Sequence, residues 1–417
     1  MREMVMLGRT WLKSLKGQPN LIVWDALLLT PVAFILLIGF IGLYSTSLPG
    51  SLISSNFIRQ AAWLTFSVLA VWLLRWLHPR FYYAQAYRLY AVLILLLLIT
   101  YLMPAFSGGK RWLALGPLRL QPAEFGKIIV VFAIARYLTD YQKYLEKFPY
   151  ALVPLAIAIL PAALIIGQPD LGTAIIYLVV AIPMMYWSGI SAFYLFVILA
   201  PFVSLITGFN YYAFSAWMLV LILVLYFYKS QPRWATVIFA VNALFGTLAP
   251  VLWNRLQPYQ QRRILTLLDA SADPHGAGYQ ILQSRTAIGS GGVFGKGIGE
   301  GTQTHLRFLP VSDTDFIIAV IGEEAGFLAI LVILILFSWL LLRMLDRAST
   351  TQYRFASLTI LGFVTIFLVH VFVNMSMATG LMPVTGLPLP FMSYGGSFLF
   401  TCLLLVGVTH YLLAGEP

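Results

Sequence analysis

Charge is what this chain lacks most. Only 10% of its 417 residues are Asp, Glu, Lys or Arg, while 60% are hydrophobic. Soluble domains carry about a quarter of their residues as charges, and no polar block here is long enough to form one. Cysteine is nearly absent: Cys402 stands alone inside an apolar run, which excludes a disulfide framework and a thiolate metal site. Histidine is sparse too, and His275 and His305 lie too far apart in sequence to signal a metal centre. Acidic residues, 15 against 26 basic ones, leave a formal charge of +11. That balance suits an anionic lipid surface or an anionic substrate, and no nucleic-acid partner is expected. Tandem repeats and low-complexity tracts are missing. The glycines of "IGSGGVFGKGIGEG" do not make a nucleotide loop, because Ser290 stands where its first glycine belongs and Gly297 replaces its hydroxyl residue.

What the chain has in abundance is apolar runs of bilayer length, about 17–25 residues each. Spans are expected near 24–45, 58–77, 87–106, 122–139, 150–168, 171–189, 191–208, 213–229, 234–254, 314–343, 355–378 and 397–414. The expected fold is therefore an all-α polytopic membrane protein of about twelve transmembrane helices, one integral membrane domain over residues 1–417. The basic start, "MREMVMLGRTWLKSLKGQPN", reads as an uncleaved cytoplasmic end, since a full-length span follows it. With that end inside, short inner loops collect basic residues around Arg75–Arg88, Arg136–Lys147, Lys229–Arg233 and Arg343–Arg354, as the positive-inside tendency requires. The C-terminus is then cytoplasmic as well. Three outer segments break the pattern: Ser107–Lys127, a large extracytoplasmic loop over 255–313, and "VTGLPLPFMSYGGS" at Val384–Ser397, which is too rich in Pro and Gly for a plain helix and reads as re-entrant or a structured loop.

Carboxylates inside the apolar runs are the candidates for chemistry, because a charge at the helix centre costs about 2.5–3.5 kcal/mol on insertion scales. In "LPVSDTDFIIAVIGEEAGFLAILVILILF" a helix opening at Thr314 would set Asp315, Ala319, Gly322 and Gly326 on one face. Asp315 over small residues fits a substrate groove; Ser312 and Asp315 equally fit a capping box, and the residues alone leave both open. Glu323 and Glu324 must be paired, protonated or turned to a polar cavity. Asp170, in "GQPDLGT", is accounted for as a helix N-cap after a tight turn, ahead of any functional role. Glu124 and Lys127 share a helix face and can pair. With Lys110, Arg111 and Arg119 just upstream, they also suit a diphosphate. The glycine-rich stretch reads either as turns or as backbone amides approaching an anionic or sugar ligand.

Taken together, "GGKRWLALGPLRLQPAEFGK", "GQPDLGTA", "DPHGAGYQILQSRTAIGSGG", "GKGIGEGTQTHLRFLPVSDTDFIIAVIGEEAG" and "VNMSMATGLMPVTGLPLPFMSYGGS" resemble the SEDS family (shape, elongation, division and sporulation) of bacterial cell-wall polymerases. They look closer to its elongation branch, RodA, than to its division branch, FtsW. The family usually has ten spans, so the region 191–254 is expected to include an extra two-helix insertion; an even insertion leaves later loops on the same side. The resemblance implies a peptidoglycan glycosyltransferase, multi-pass in the bacterial cytoplasmic membrane, that polymerises lipid II at its outer face by an inverting reaction for cell elongation and rod shape. It implies Asp315, the aspartate of T-D-F, as the catalytic general base, and Arg111, Trp112, Lys127, Lys296, Arg263 and Arg285 as the groups that bind substrate and its diphosphate. Glu124, Asp170, Glu323 and Ser393 are expected in support. It also implies a class B penicillin-binding protein, a transpeptidase, as partner, with membrane lipids around both. No cofactor is required outright and no protein metal site is expected, although a divalent cation, Mg or Mn, is compatible with a diphosphate leaving group. Two other classes share a polytopic fold with outer charges: a lipid II flippase, and a scaffold that only recruits the transpeptidase.

Overall fold

The computed structural model describes residues 25–46, 55–104, 109–115, 118–228, 231–266, 273, 276–306 and 308–414. The basic N-terminal segment and its expected cytoplasmic end lie outside the described residues.

Helices form wherever the apolar runs predicted them. They are α1 (Ala26–Ser45), α2 (Ser55–Leu73), α3 (Pro79–Thr100), α4 (Pro122–Asp140), α5 (Phe148–Gly167), α6 (Leu171–Trp187), α7 (Ala192–Thr207), α8 (Tyr211–Phe227), α9 (Pro232–Arg255), α13 (Ile317–Thr350), α14 (Arg354–Ala378) and α15 (Gly396–Ala414). Seven of them, α1, α3, α5, α9, α13, α14 and α15, are long and apolar enough to cross a membrane, and α6, α7 and α8 are shorter apolar helices. The chain is an all-α polytopic membrane protein, with one small antiparallel hairpin, β1 (Leu113–Leu115) and β2 (Leu118–Leu120), among the described residues.

Burial sorts these helices. Within the bilayer-length window, 78% of α14 and of α15 is buried, against 17% of α9. α14 is the central post, packed on α13, α6, α4, α15 and the loop helix α11 (Ala277–Gly291). α7, α8 and α9, which cover the region expected to hold an inserted hairpin, pack mainly on one another around a separate small core of Ala200, Met218, Leu221 and Leu225. A polar contact ties that unit together: Trp217 Nε1 donates to Ser204 Oγ (2.8 Å), which donates to Asn242 Oδ1 (2.7 Å). Small and polar residues are the usual glue between helices in lipid, where apolar contact alone gives no preference.

The 255–313 segment folds back on the bundle. It contributes α10 (Pro258–Leu265), α11 and the short α12 (Thr302–His305). The piece "YQILQSRTAI" lies within α11, whose buried Ala277, Ile281, Ser284, Ala287 and Gly291 recur at helical spacing against α13.

One expectation is corrected. The helix does not open at Thr314 and run on unbroken: α13 begins at Ile317, with Phe316 at the N-cap and no side-chain cap bond, and it breaks at Gly326 (φ +74°). The Ser312–Asp315 capping box therefore does not start this helix, and Asp315 and Gly326 do not share a helical face.

Candidate functional site

Asp315 lies in the turn just before α13, half-buried. Three elements hold that turn. Asn56 Nδ2, on α2, donates to Asp313 Oδ2 (2.7 Å). The amide of Tyr394 donates to the Asp313 carbonyl (2.8 Å), and Asn374 Nδ2, on α14, donates to the Asp315 carbonyl (2.9 Å). Across from the carboxylate stands Gly386, at φ +74°, where an added Cβ would lie 3.6 Å from Asp315 Oδ2.

Gly386 belongs to the Pro-rich stretch between α14 and α15, which has no regular secondary structure from Pro383 to Leu389 and buries Val384, Leu387, Leu389, Phe391 and Met392. Having no ladder partner, it takes its bonds from side chains. Asn374 Nδ2 reaches Leu387 O (2.8 Å), and His370 Nδ1 lies 3.0 Å from Pro388 O. Ser393 is buried and structural: its Oγ accepts from the Leu389 amide (2.8 Å), while Gln60 of α2 brackets the turn through Ser393 O (3.1 Å) and the Gly395 amide (3.1 Å).

Behind this stretch lies the Glu124–Lys127 pair. Its members are 2.8 Å apart and both buried, and Lys127 Nζ is also 3.0 Å from His370 Nε2. Lys127 is only 2% exposed, so it does not join Arg111 in an outward cluster.

Arg111 closes a different turn. Its Nε donates to Gln168 O (2.9 Å), its Nη2 to Pro169 O, and its Nη1 lies 3.6 Å from Asp170 Oδ2. Asp170 caps α6 through the Thr173 amide (3.1 Å) and accepts from Gln121 (3.2 Å), as its position in the sequence suggested. Trp112 is half-buried beside this clasp.

Glu323 and Glu324, the two acids inside α13, are both paired. Glu323 is fully buried and accepts from Lys296 Nζ (2.9 Å), Thr302 Oγ1 (3.1 Å), the Gln303 amide (3.0 Å), and Thr304 through its amide (3.3 Å) and Oγ1 (3.1 Å). Glu324 accepts from Ser45 Oγ of α1 and lies 3.3 Å from His305 Nε2. Their carbonyls, freed by the break at Gly326, are met by the glycine-rich stretch: Lys296 N donates to Glu323 O (3.1 Å) and Gly297 N to Glu324 O (2.9 Å). In return the amides of Phe327 and Leu328 donate to Gly292 O (2.9 Å) and Val293 O (3.2 Å). These glycine amides serve the protein's own backbone.

The site thus gathers Asp315, Asn374, Asn56, Gly386 and, one layer behind, His370, Lys127 and Glu124. Arg111 with Asp170, and Lys296 with Glu323, form separate clasps. Arg285 is exposed on α11, its side chain beside Gly380, and makes no hydrogen bond or ion pair among the described residues. The side chain of Arg263 lies outside the described residues. Asn374, His370 and Asn56 were not singled out as site residues from sequence; for Asn374 and His370 the available signal was a polar side chain within an apolar span. Two surface concavities lie elsewhere: one of about 760 Å³ along α13 from Leu331 to Asp346, and one of about 300 Å³ around Thr351 and Arg354. Among the described residues no group of three or more His, Cys, Asp or Glu is arranged to hold a metal.

A bundle of bilayer-length apolar helices, with Asp315 in a braced turn at the start of α13, defines a polytopic membrane protein. Comparison with known proteins gives the family. The FtsW, RodA and SpoVE cell cycle protein model matches residues 25–217 and 210–414, the two stretches overlapping inside α8. Peptidoglycan glycosyltransferase MrdB of Escherichia coli K12 is 33% identical over 394 residues, covering 92% of this chain and 93% of that protein. Peptidoglycan glycosyltransferase RodA of Treponema pallidum is 32% identical over 422 residues, covering 92% and 96%. In three dimensions the chain resembles one from a peptidoglycan synthase complex solved for its coordination of polymerization and crosslinking (TM-score 0.71, 26% identity, 94% of this chain and 98% of that one). It also resembles the rod shape determining protein RodA of Thermus thermophilus (TM-score 0.62, 25% identity, 94% and 98%). The chain belongs to this family, the SEDS family, and is a glycosyltransferase.

Proposed function

We propose that this protein polymerises lipid II into peptidoglycan strands at the outer face of the bacterial cytoplasmic membrane, for cell elongation, with Asp315 as general base. The supporting observation is the half-exposed Asp315 carboxylate in a turn braced by α2, α14 and the segment before α15. A catalytic group needs such bracing, because misplacement by an ångström costs on the order of a hundredfold in rate.

Inversion calls for a base on the face of the sugar opposite the leaving group. Asp315 takes the proton from the attacking hydroxyl of the acceptor sugar as the new glycosidic bond forms. Carboxylates are weak bases, so this transfer belongs to the transition state, where the hydroxyl becomes acidic. The diphosphate departs with the electrons of the breaking bond and needs positive charge more than a proton. Arg285, uncommitted among the described residues, is the leading receiver. Lys296 is shared with Glu323 and Arg111 with the Gln168–Asp170 turn, so either must loosen its clasp to help. Lys127 acts from behind the site. A magnesium or manganese ion would travel on the diphosphate with few protein ligands, as magnesium does in phosphoryl sites. The partner is a class B penicillin-binding protein, in keeping with the synthase complex to which the fold is similar.

The test is glycan synthesis from lipid II by purified protein, with a cognate transpeptidase whose own active site is blocked. The Asp315→Asn variant should insert and bind lipid II but make no strands. Synthesis by that variant near the wild-type rate overturns the assignment. Lipid scrambling in vesicles without chain growth would favour a flippase instead.

A further inference from the structure

We infer that Asn374 is a positioning residue for Asp315, assisted by His370 one turn earlier on α14. This inference rests on the reading of Asp315 as the base.

The amide of Asn374 spends both its protons on backbone: one on Asp315 O (2.9 Å), the other on Leu387 O (2.8 Å). One side chain therefore joins the aspartate's own residue to the irregular stretch that carries Gly386, the residue facing the carboxylate. His370 holds the next carbonyl, Pro388 O. A carbonyl only accepts, so Nδ1 carries the proton, and the lone pair on Nε2 accepts from the Lys127 ammonium. That ammonium is balanced in turn by Glu124. The buried ion pair thus fixes the histidine tautomer, the histidine fixes Pro388, and Asn374 ties the neighbouring carbonyl to Asp315.

The other half of the amide argues against a purely structural role. Asn374 is 0% exposed, and its Oδ1 has no hydrogen-bond partner among the described residues. An orphaned buried acceptor costs about 1–3 kcal/mol. An apolar side chain would avoid that cost but would leave both carbonyls without this donor. The amide is kept for its two donors, and both point at the site.

The experiment measures kcat and KM for lipid II, normalised to folded enzyme, with a blocked transpeptidase partner. Asn374→Asp has the same shape but offers oxygen where the protons were. It should lower kcat by about 10–100-fold, as a shift of the base by an ångström would, with KM changed less than about threefold. Asn374→Ser retains a donor and should keep more activity than Asn374→Ala, which covers the case in which the aspartate variant fails to fold. His370→Leu should lower the same parameter by less. Unchanged kcat in the folded variants, a loss confined to KM, or no advantage of Ser over Ala overturns the inference. An Asp315→Ala control separates the two readings. If that control is active, the base assignment falls; if it is inactive while Asn374→Asp is fully active, only the positioning role falls.

Discussion

A carboxylate survives inside an apolar helix when every lone pair it exposes finds a donor, and Glu323 meets that condition with five contacts from Lys296, Thr302, Gln303 and Thr304. Removing it would deprive Lys296, two amides and two hydroxyls of their acceptor at once. Glu323→Ala should therefore cost about 2–4 kcal/mol, below the usual 3–5 for a broken buried pair because Lys296 stays partly hydrated. Glu323→Gln, which keeps the shape, should cost clearly less; melting in detergent distinguishes them. Arg111 poses the opposite question, since its charge was expected to meet a diphosphate and its fork instead clasps Gln168 O and Pro169 O. A lysine supplies charge without a fork. Arg111→Lys should thus lower thermal stability by about 1–2 kcal/mol; unchanged melting with normal turnover would return Arg111 to a charge-only role. Asp170 could be read from sequence because capping is local, with its donor three residues on. The Arg111 clasp could not, because its carbonyl acceptors lie 57 and 58 residues away and carry no side-chain signature.

At the scale of the element, α13 departs most from its sequence reading. Periodicity carries a helix through "FIIAVIGEEAGFLAILV" because a lone glycine does not announce a break. What permits the break is the stretch some thirty residues upstream, whose amides and carbonyls take over the four backbone groups released at Gly326. Gly326 and Gly295 face each other there, both at positive φ, and a Cβ on either would enter the other segment's backbone. Gly326→Ala should cost about 2–4 kcal/mol, combining left-handed strain with overpacking. It should also lower turnover, because Asp315 immediately precedes the short helical piece that this junction anchors. Gly289 is the control: it lies inside α11 with nothing near its missing Cβ, so Gly289→Ala should be neutral or stabilising by up to about 1 kcal/mol. Equal melting of the two variants would mean that the junction does not bear on stability.

For the whole molecule, apolar run length placed a helix at each expected run among the described residues, seven of them long and apolar enough to cross a membrane, since the cost of unsatisfied backbone in lipid leaves no alternative. It could not rank them. The post α14 and the rim helix α9 have similar hydropathies, 2.3 and 1.9, yet differ more than fourfold in burial, because lipid and protein interior are equally apolar. The buried polar residues of α14, His370 and Asn374 among them, against the single buried Asn242 of α9, are the sequence's trace of that difference. Polar clasps also separate the two ends of the bundle. Asp315 stands at the start of α13, and beyond the break, after about 26–32 Å of helix, Arg343 and Arg347 close on Asp25, at the N-cap of α1, at 3.0 and 2.7 Å. Burial pushes the Asp25 carboxyl up, but the bonds and charges of Arg347 and then Arg343 outweigh it and hold it below the ordinary 3.8. A depressed carboxylate stabilises the fold above its unfolded pKa, about 3.9, and that stabilisation is lost as pH falls toward and through its folded value. Below that range the two guanidinium groups also face each other with less to separate them. The melting temperature of the wild type should therefore drop more steeply between pH 5 and pH 3 than that of Asp25→Asn, which has no proton to gain and should melt lower at pH 7. Parallel slopes would show that this clasp, for all its short distances, contributes nothing to holding α1 against α13.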